Sequence, residues 1–209
     1  MPDICRLIYV HDPMCSWCWG FRPAFEHLRE QLPRGFEVTR LLGGLAPDSD
    51  QAMPADMQSR LQDTWRRIQA RIPGTQFNFD FWRDCRPRRS TWPACRAVIA
   101  ARELDPALEA AMIHAIQRAY YLEARNPSDT DTLVTLALQL GLDGPRFERL
   151  LRAPETDSAL QHEIAQARRM GADSFPSLRL QTGDGCWPIA VEYTDVNAML
   201  DSIRALSAP

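Results

Sequence analysis

A Cys-X-X-Cys pair set at the joint between an apolar strand and a helix most restricts how this chain folds. Ile4 to Val10 is a short, β-rich apolar run, and Cys15-Ser16-Trp17-Cys18 follows it directly. From there a helical pattern runs through Leu32, with Phe21, Phe25, Leu28 and Leu32 on one stripe suited to packing on a sheet. Pro33, Arg34 and Gly35 end that helix, and Phe36 to Leu42 supplies a second strand before Gly43-Gly44. The segment predicts a βαβ unit. Unpaired N–H groups and the dipole at a helix N-terminus favour a thiolate, the species that attacks disulfides. Cys15 is therefore expected to be the charged, exposed nucleophile. Cys18, on the same helical face, is expected to be the resolving thiol.

The middle of the chain is helical in pattern, with helices predicted over Ala52–Arg71, Trp92–Glu103, Ala107–Glu123, Asp131–Leu140 and Pro145–Leu151. A further helix is predicted from Pro154 to about Met170, with Gly171 as its C-terminal cap. Strands are predicted over Ser177–Gln181 and Trp187–Val191, joined by Thr182-Gly183-Asp184-Gly185, and Pro188 implies an edge position. Asp195–Leu206 closes the chain as a helix. The order predicts an α/β protein in which residues 1–49 and 154–209 form one domain around an inserted all-helical subdomain, 50–153.

Composition limits the partners. The 209 residues carry 24 Lys and Arg against 27 Asp and Glu, a net charge of −3, which gives no electrostatic reason to expect nucleic acid or an anionic membrane. No run approaches the length needed to span a bilayer. The start of the sequence lacks a basic stretch followed by an apolar run, so a cytoplasmic location is expected, where structural disulfides are rare. Small-molecule or protein substrates are expected instead.

Four stretches resemble the thioredoxin superfamily, and DsbA-like members with a helical insertion in particular. Asp12-Pro13-Met14-Cys15-Ser16-Trp17-Cys18-Trp19-Gly20 resembles the active-site segment of cytoplasmic DsbA-like proteins related to FrnE, the predicted protein-disulfide isomerases. Pro23 falls where thioredoxins carry a helix-kinking proline. Met170 to Ser177 resembles the loop in which the superfamily holds a cis-proline beside the dithiol, which implies that Pro176 is cis. Arg89 to Ala97 resembles the segment that faces the active site from the helical insertion of such relatives. The resemblance implies a thioredoxin fold and a thiol–disulfide oxidoreductase or protein-disulfide isomerase. Cys15 and Cys18 would be catalytic, and Phe175 and Pro176 would bind substrate through β-like pairing of the Phe175 N–H and C=O with an extended peptide. Trp17, beside the reactive thiol, adds an apolar contact surface. The partners implied are protein or peptide thiols and disulfides, with glutathione or thioredoxin as redox partner. No bound cofactor or metal is implied.

Other readings remain beside this one. Related 2-hydroxychromene-2-carboxylate isomerases and glutathione transferases share the architecture but carry Ser in place of the first Cys. A glutathione-dependent transferase or isomerase on this scaffold is therefore the alternative function, and a peptide-binding adaptor with an idle dithiol is another. Cys15 and Cys18 read structurally would be half a zinc site. Cys5, Cys85, Cys95 and Cys186 read as small buried or semi-buried residues, with Cys85 and Cys95 open to a second redox pair. Asp12 reads equally as a turn former and as a group that tunes the thiols, whereas His11 reads as packing. Arg86, Arg88 and Arg89 read as a solvated cluster able to hold a carboxylate.

Overall fold

The computed structural model describes residues 5–183 and 185–207. Along the chain the strands are β1 (Arg6–His11), β2 (Glu37–Leu42), β3 (Ser177–Thr182) and β4 (Gly185–Ile189). The helices are α1 (Ser16–Glu30), α2 (Ala55–Arg71), α3 (Phe81–Asp84), α4 (Trp92–Leu104), α5 (Glu109–Tyr121), α6 (Thr130–Gln139), α7 (Gly144–Leu151), α8 (Pro154–Arg169) and α9 (Val196–Ser207). Two compact units result, one comprising the chain up to Gly43 and from Glu163 onward, the other Gly44–His162.

In the first unit, β1 pairs in parallel with β2 and antiparallel with β3, which pairs antiparallel with β4, giving the order β2-β1-β3-β4. The period-2 pattern of β1 builds two layers. Leu7 and Tyr9, with Leu178, Leu180 and Ile189, meet Phe21, Phe25 and Leu28 of α1 and Met199, Leu200 and Ile203 of α9. Ile8 and Val10 project the other way and pack with Leu41, Ala167 and Ala172. Burying side chains of this size stabilises the fold by about 1.5–3 kcal/mol each. The strand order and the two-sided layering are those of the expected thioredoxin fold.

Gly44–His162 is helical, with an isolated bridge between Ala52 and Arg88. Its core is aromatic. Trp65 is wholly buried, stacks on Phe77 at 4.8 Å, and is ringed by Phe81, Trp82, Tyr120 and Tyr121. Arg96 ties this unit's Asp48 and Asp157 together, at 2.7 and 3.1 Å.

Several boundaries differ from the sequence reading. Helix α2 starts at Ala55 rather than Ala52, because Pro54 disfavours helical backbone at Met53 and Ala52 is held in its bridge. Helix α3 was not predicted, being too short to show a period. A 3₁₀ turn over Pro106–Leu108 precedes α5. Strand β4 starts at Gly185 rather than Trp187 and ends at Ile189, since Thr182 already pairs with Gly185. Pro188 is on the edge strand. Ile4, predicted to begin the first strand, and Asp184, of the predicted hairpin turn, lie outside the described residues.

The loop from α8 to β3 is fastened at both ends. Gly171 adopts φ +67°, its N–H donates to the Arg168 carbonyl at 2.9 Å, and the Ala172 N–H donates to that of Ala167 at 3.0 Å, a Schellman closure. Arg179, projecting from β3, donates to the carbonyls of Met170 at 2.8 Å, Gly171 at 2.6 Å and Leu178 at 3.0 Å. A cation here also complements the helix C-terminus. Arg179→Met is expected to lower stability by about 2 kcal/mol, given the usual worth of charge-assisted hydrogen bonds. Arg152→Met, which breaks an exposed pair with Glu148, is expected to cost under about 0.5 kcal/mol. Urea unfolding of the two variants checks this, and equal losses would contradict the clamp.

Candidate active site

Asp12 ends β1 with a turn that delivers the dithiol. Its Oδ1 accepts from the Met14 N–H at 2.8 Å, its carbonyl accepts from the Cys15 N–H at 3.0 Å, and the residue is fully buried. Cys15 thereby takes the N-cap of α1, with φ −81° and ψ 116°, and its carbonyl accepts from the Trp19 N–H at 3.0 Å. An N-cap side chain ordinarily accepts a hydrogen bond from the first turn. Cys15 makes no such bond; its Sγ donates to the Phe175 carbonyl at 3.4 Å.

That contact corrects one expectation. Cys15 is not an exposed sulfur: the residue keeps only 6% of its accessible surface, because the loop bearing Phe175 closes on it. Cys18, one helical turn further, keeps 0%. Burial pushes the Cys18 thiol well above the ordinary cysteine range. The hydrogen bond and charge of Cys15 add to the rise, as does the Asp12 carboxylate, while a hydrogen bond from the Asp12 backbone opposes it. All six cysteines are free thiols.

The Phe175–Pro176 peptide bond is cis, as the resemblance implied. Phe175 is half-buried, and its ring occupies the space beside Gly43: a Cβ built on Gly43 would lie 2.0 Å from it. The Phe175 carbonyl, expected to accept from a substrate, accepts from Cys15 in this state. Trp17 is half-buried, with its ring 5.4 Å from that of Tyr193, which packs edge-on against Phe21 at 5.7 Å. Trp19 is buried, with the Arg22 guanidinium over its ring.

Sequence reasoning missed three residues here. Gly43 was read only as the end of a strand, and Tyr193 lies in an unpatterned stretch after β4. Tyr9 has a phenol pushed well up, first by burial and then by Cys18 and Cys15, with which it shares this pocket, while Arg40 opposes the rise. Alternation along β1 was a signal for the inward direction of Tyr9, although nothing local points to the cysteines. His11 is buried and stacked on Tyr9 at 4.9 Å.

The remaining cysteines are dispersed. Cys95 is buried in α4, Cys5 is half-buried, and Cys186 is exposed on β4. Cys85 donates to the Ala124 carbonyl at 3.0 Å, and burial pushes its thiol up. Arg88 donates to the Ser128 carbonyl at 2.8 Å and pairs with Asp129. Among the described residues, no three His, Cys, Asp or Glu side chains converge in a metal-ligating arrangement. No helix among them is long and apolar enough to cross a membrane.

A four-stranded sheet of this order, with a Cys-X-X-Cys at the start of its first helix and a cis-proline loop against it, is the arrangement of a DsbA-like thioredoxin domain. A family model described as a DSBA-like thioredoxin domain matches residues 6–190, and the chain belongs to that family. It aligns over 100% of both chains with the crystal structure of a candidate protein disulfide isomerase from Nitrosomonas europaea, at TM-score 0.84 and 25% identity. It aligns over 96% of both chains with the cytosolic disulfide reductase DsbM from Pseudomonas aeruginosa, at TM-score 0.75 and 27% identity. The same reductase with GSH gives 0.72 and 28%, again over 96% of both chains. Among curated sequences, the ClpXP adapter protein SpxH of Halalkalibacterium halodurans is 25% identical over 170 residues, 79% of this chain and 55% of the relative. The chain thus spans about half the length of the curated relatives it matches.

Two outcomes test this geometry. Gly43→Ala forces the Phe175 ring off its seat and is expected to cost about 1–3 kcal/mol, the usual range for overpacking, with Phe175→Leu restoring part of it in a double-mutant cycle. Strict additivity would contradict the contact. The raised Cys18 thiol also fixes a pH slope. Below the unfolded-chain value of about 8.5 the thiol is protonated in both states and its contribution is fully present. Above it the unfolded chain releases a proton that the fold retains, so the reduced protein loses stability as pH rises towards the folded value. Cys18→Ala is expected to flatten that slope below about pH 10, where tyrosine begins to ionise in the unfolded chain.

Proposed function

We propose that this protein is a thiol–disulfide oxidoreductase in which Cys15 is the nucleophile and Cys18 the resolving thiol. The observation that carries this reading is the pairing of unlike sulfurs: Cys15 at the N-cap of α1 and, one helical turn on, a wholly buried Cys18. As a thiolate, Cys15 would accept from first-turn N–H groups and gain from the helix dipole, whereas burial keeps Cys18 protonated until it is needed.

The chemistry balances without a metal, nucleotide or flavin. The Cys15 thiolate attacks R–S–S–R′, a Cys15–S–S–R bond forms, and R′–S⁻ leaves and takes up a proton. Cys18 loses its proton and attacks the Cys15 sulfur; the internal disulfide forms and the R sulfur leaves as a thiol. The substrate has gained two electrons and the dithiol has lost them. Two glutathione thiols restore the dithiol and become glutathione disulfide.

Reduction is the direction we favour, in a reducing compartment such as the cytoplasm. The likeness to DsbM supports it, since that protein is described as a cytosolic disulfide reductase and has been solved with GSH. The likeness to the Nitrosomonas europaea protein supports isomerisation as a use of the same exchange. In our reading an extended peptide pairs with the backbone around Phe175 and Pro176 and rests apolar side chains on Trp17 and Tyr193.

A second reading, a peptide-binding adaptor with an idle dithiol, draws on the similarity to SpxH. A glutathione-dependent transferase is the alternative on the same scaffold and would show saturable glutathione binding without redox cycling. Insulin reduction with glutathione as donor separates these. Cys15→Ser is expected to fall to the uncatalysed rate, and Cys18→Ser to accumulate a mixed disulfide on Cys15. Full activity in Cys15→Ser would overturn the mechanism, and equal peptide affinity without turnover in the wild type and the double Ser variant would favour the adaptor.

A further inference from the structure

Glu163 is a buried carboxyl side chain that the exchange chemistry does not use. It projects from α8, one turn before Ala167, and its Oε2 accepts from the Leu42 N–H at 2.7 Å. The edge position of β2 gives this bond its cause. Outward N–H groups there have no strand partner, and Leu42 is too deeply buried for water to serve instead. The next residue is tied on the opposite flank, where the Gly43 N–H donates to the His11 carbonyl at 2.7 Å. The end of β2 is thus held from both sides just where Gly43 makes room for the Phe175 ring.

We infer that Glu163 is a positioning residue for the reactive sulfur: by holding β2 to α8 it sets the seat of Phe175, and with it the closeness of the cis-proline loop to Cys15 and the fit of an extended peptide on that loop. This deepens the dithiol reading above and rests on it for its part in exchange.

One side chain has this reach because both walls of the seat depend on it. Gly43 follows the residue that Glu163 binds, and Phe175 belongs to the loop that α8 leads into. Apolar packing on this face of the sheet is thin. Its layer consists of Ile8, Val10, Leu41, Ala167 and Ala172, with Met170 and Phe175 at the margin, and the two alanines bring little area to bury. A buried hydrogen bond adds what apolar area lacks, a fixed distance. Without the acceptor, the Leu42 N–H has to be hydrated, and water enters only if the β2 end and α8 move apart. The Phe175 ring then leaves Gly43, and its carbonyl leaves the Cys15 sulfur that it meets at 3.4 Å. All of these groups lie in one compact unit.

The test reads the cover on Cys15 directly. Reduced protein is treated with iodoacetamide under native conditions, and Cys15 alkylation is followed by peptide mass spectrometry. Beside it, kcat and KM are measured for insulin with glutathione as donor. Glu163→Leu removes the acceptor at similar size. It is expected to raise the Cys15 alkylation rate about tenfold and KM by a similar factor, with kcat little changed, the scale set by one buried N–H left unpaired. Glu163→Gln, which keeps an oxygen for that N–H, is expected to restore most of the cover. Phe175→Ala is expected to speed alkylation by itself but to add little in Glu163→Leu, where the cover is already open. A folded Glu163→Leu protein with wild-type alkylation and KM overturns the inference, as do effects of the two substitutions that multiply. Should Glu163→Leu fail to fold, Glu163→Asp, one methylene short of the Leu42 N–H, must show the same rise, and its absence overturns the inference. A wild type without turnover overturns the dithiol reading, whereas alkylation needs no turnover and still decides the role of Glu163.

Discussion

Contact between the Phe175 loop and the start of α1 is the constraint on which the rest of this site depends. It can form only because Gly43 has no side chain: the Phe175 ring fills the space that a Cβ would take, and its carbonyl then lies at the Cys15 sulfur. Farther out, Gly171 reverses the chain in left-handed backbone and Arg179 holds the carbonyls on either side of the turn. The cis Phe175–Pro176 unit is thus fixed from one end by helix capping and from the other by strand pairing. A loop without secondary structure of its own acquires the precision that a reactive sulfur needs.

The two sulfurs differ because their surroundings differ. Cys15 occupies a helix N-cap, where partial positive charge is concentrated, and Cys18 lies one turn deeper in an apolar layer. Desolvation dominates the deeper thiol and holds its proton. The two thiols thus differ by position alone, although they are one residue type.

The sequence made legible what local pattern controls. The strand before the dithiol, the stripe of α1, the extent of α8, the Gly171 cap and the edge position of Pro188 all follow from periodicity and from the chemistry of Gly and Pro. Features decided by distant partners were not legible. Cys15 was expected to be exposed because a helix start usually is, yet its cover comes from a residue 160 positions away. Gly43 looked like any glycine ending a strand until Phe175 was placed against it. The α2 boundary moved because a bridge from Ala52 to Arg88 outweighs the helical tendency of the first few residues. The cis state of Pro176 came from family resemblance, since no local pattern specifies it.

The central claim, that Cys15 and Cys18 form one redox couple, is tested most directly by equilibrating the protein with defined ratios of reduced and oxidised glutathione and reading each thiol by alkylation and mass spectrometry. The account predicts a single two-electron transition shared by the two cysteines. If neither sulfur changes state across the range, or if the two titrate independently, the couple does not exist and the account is contradicted.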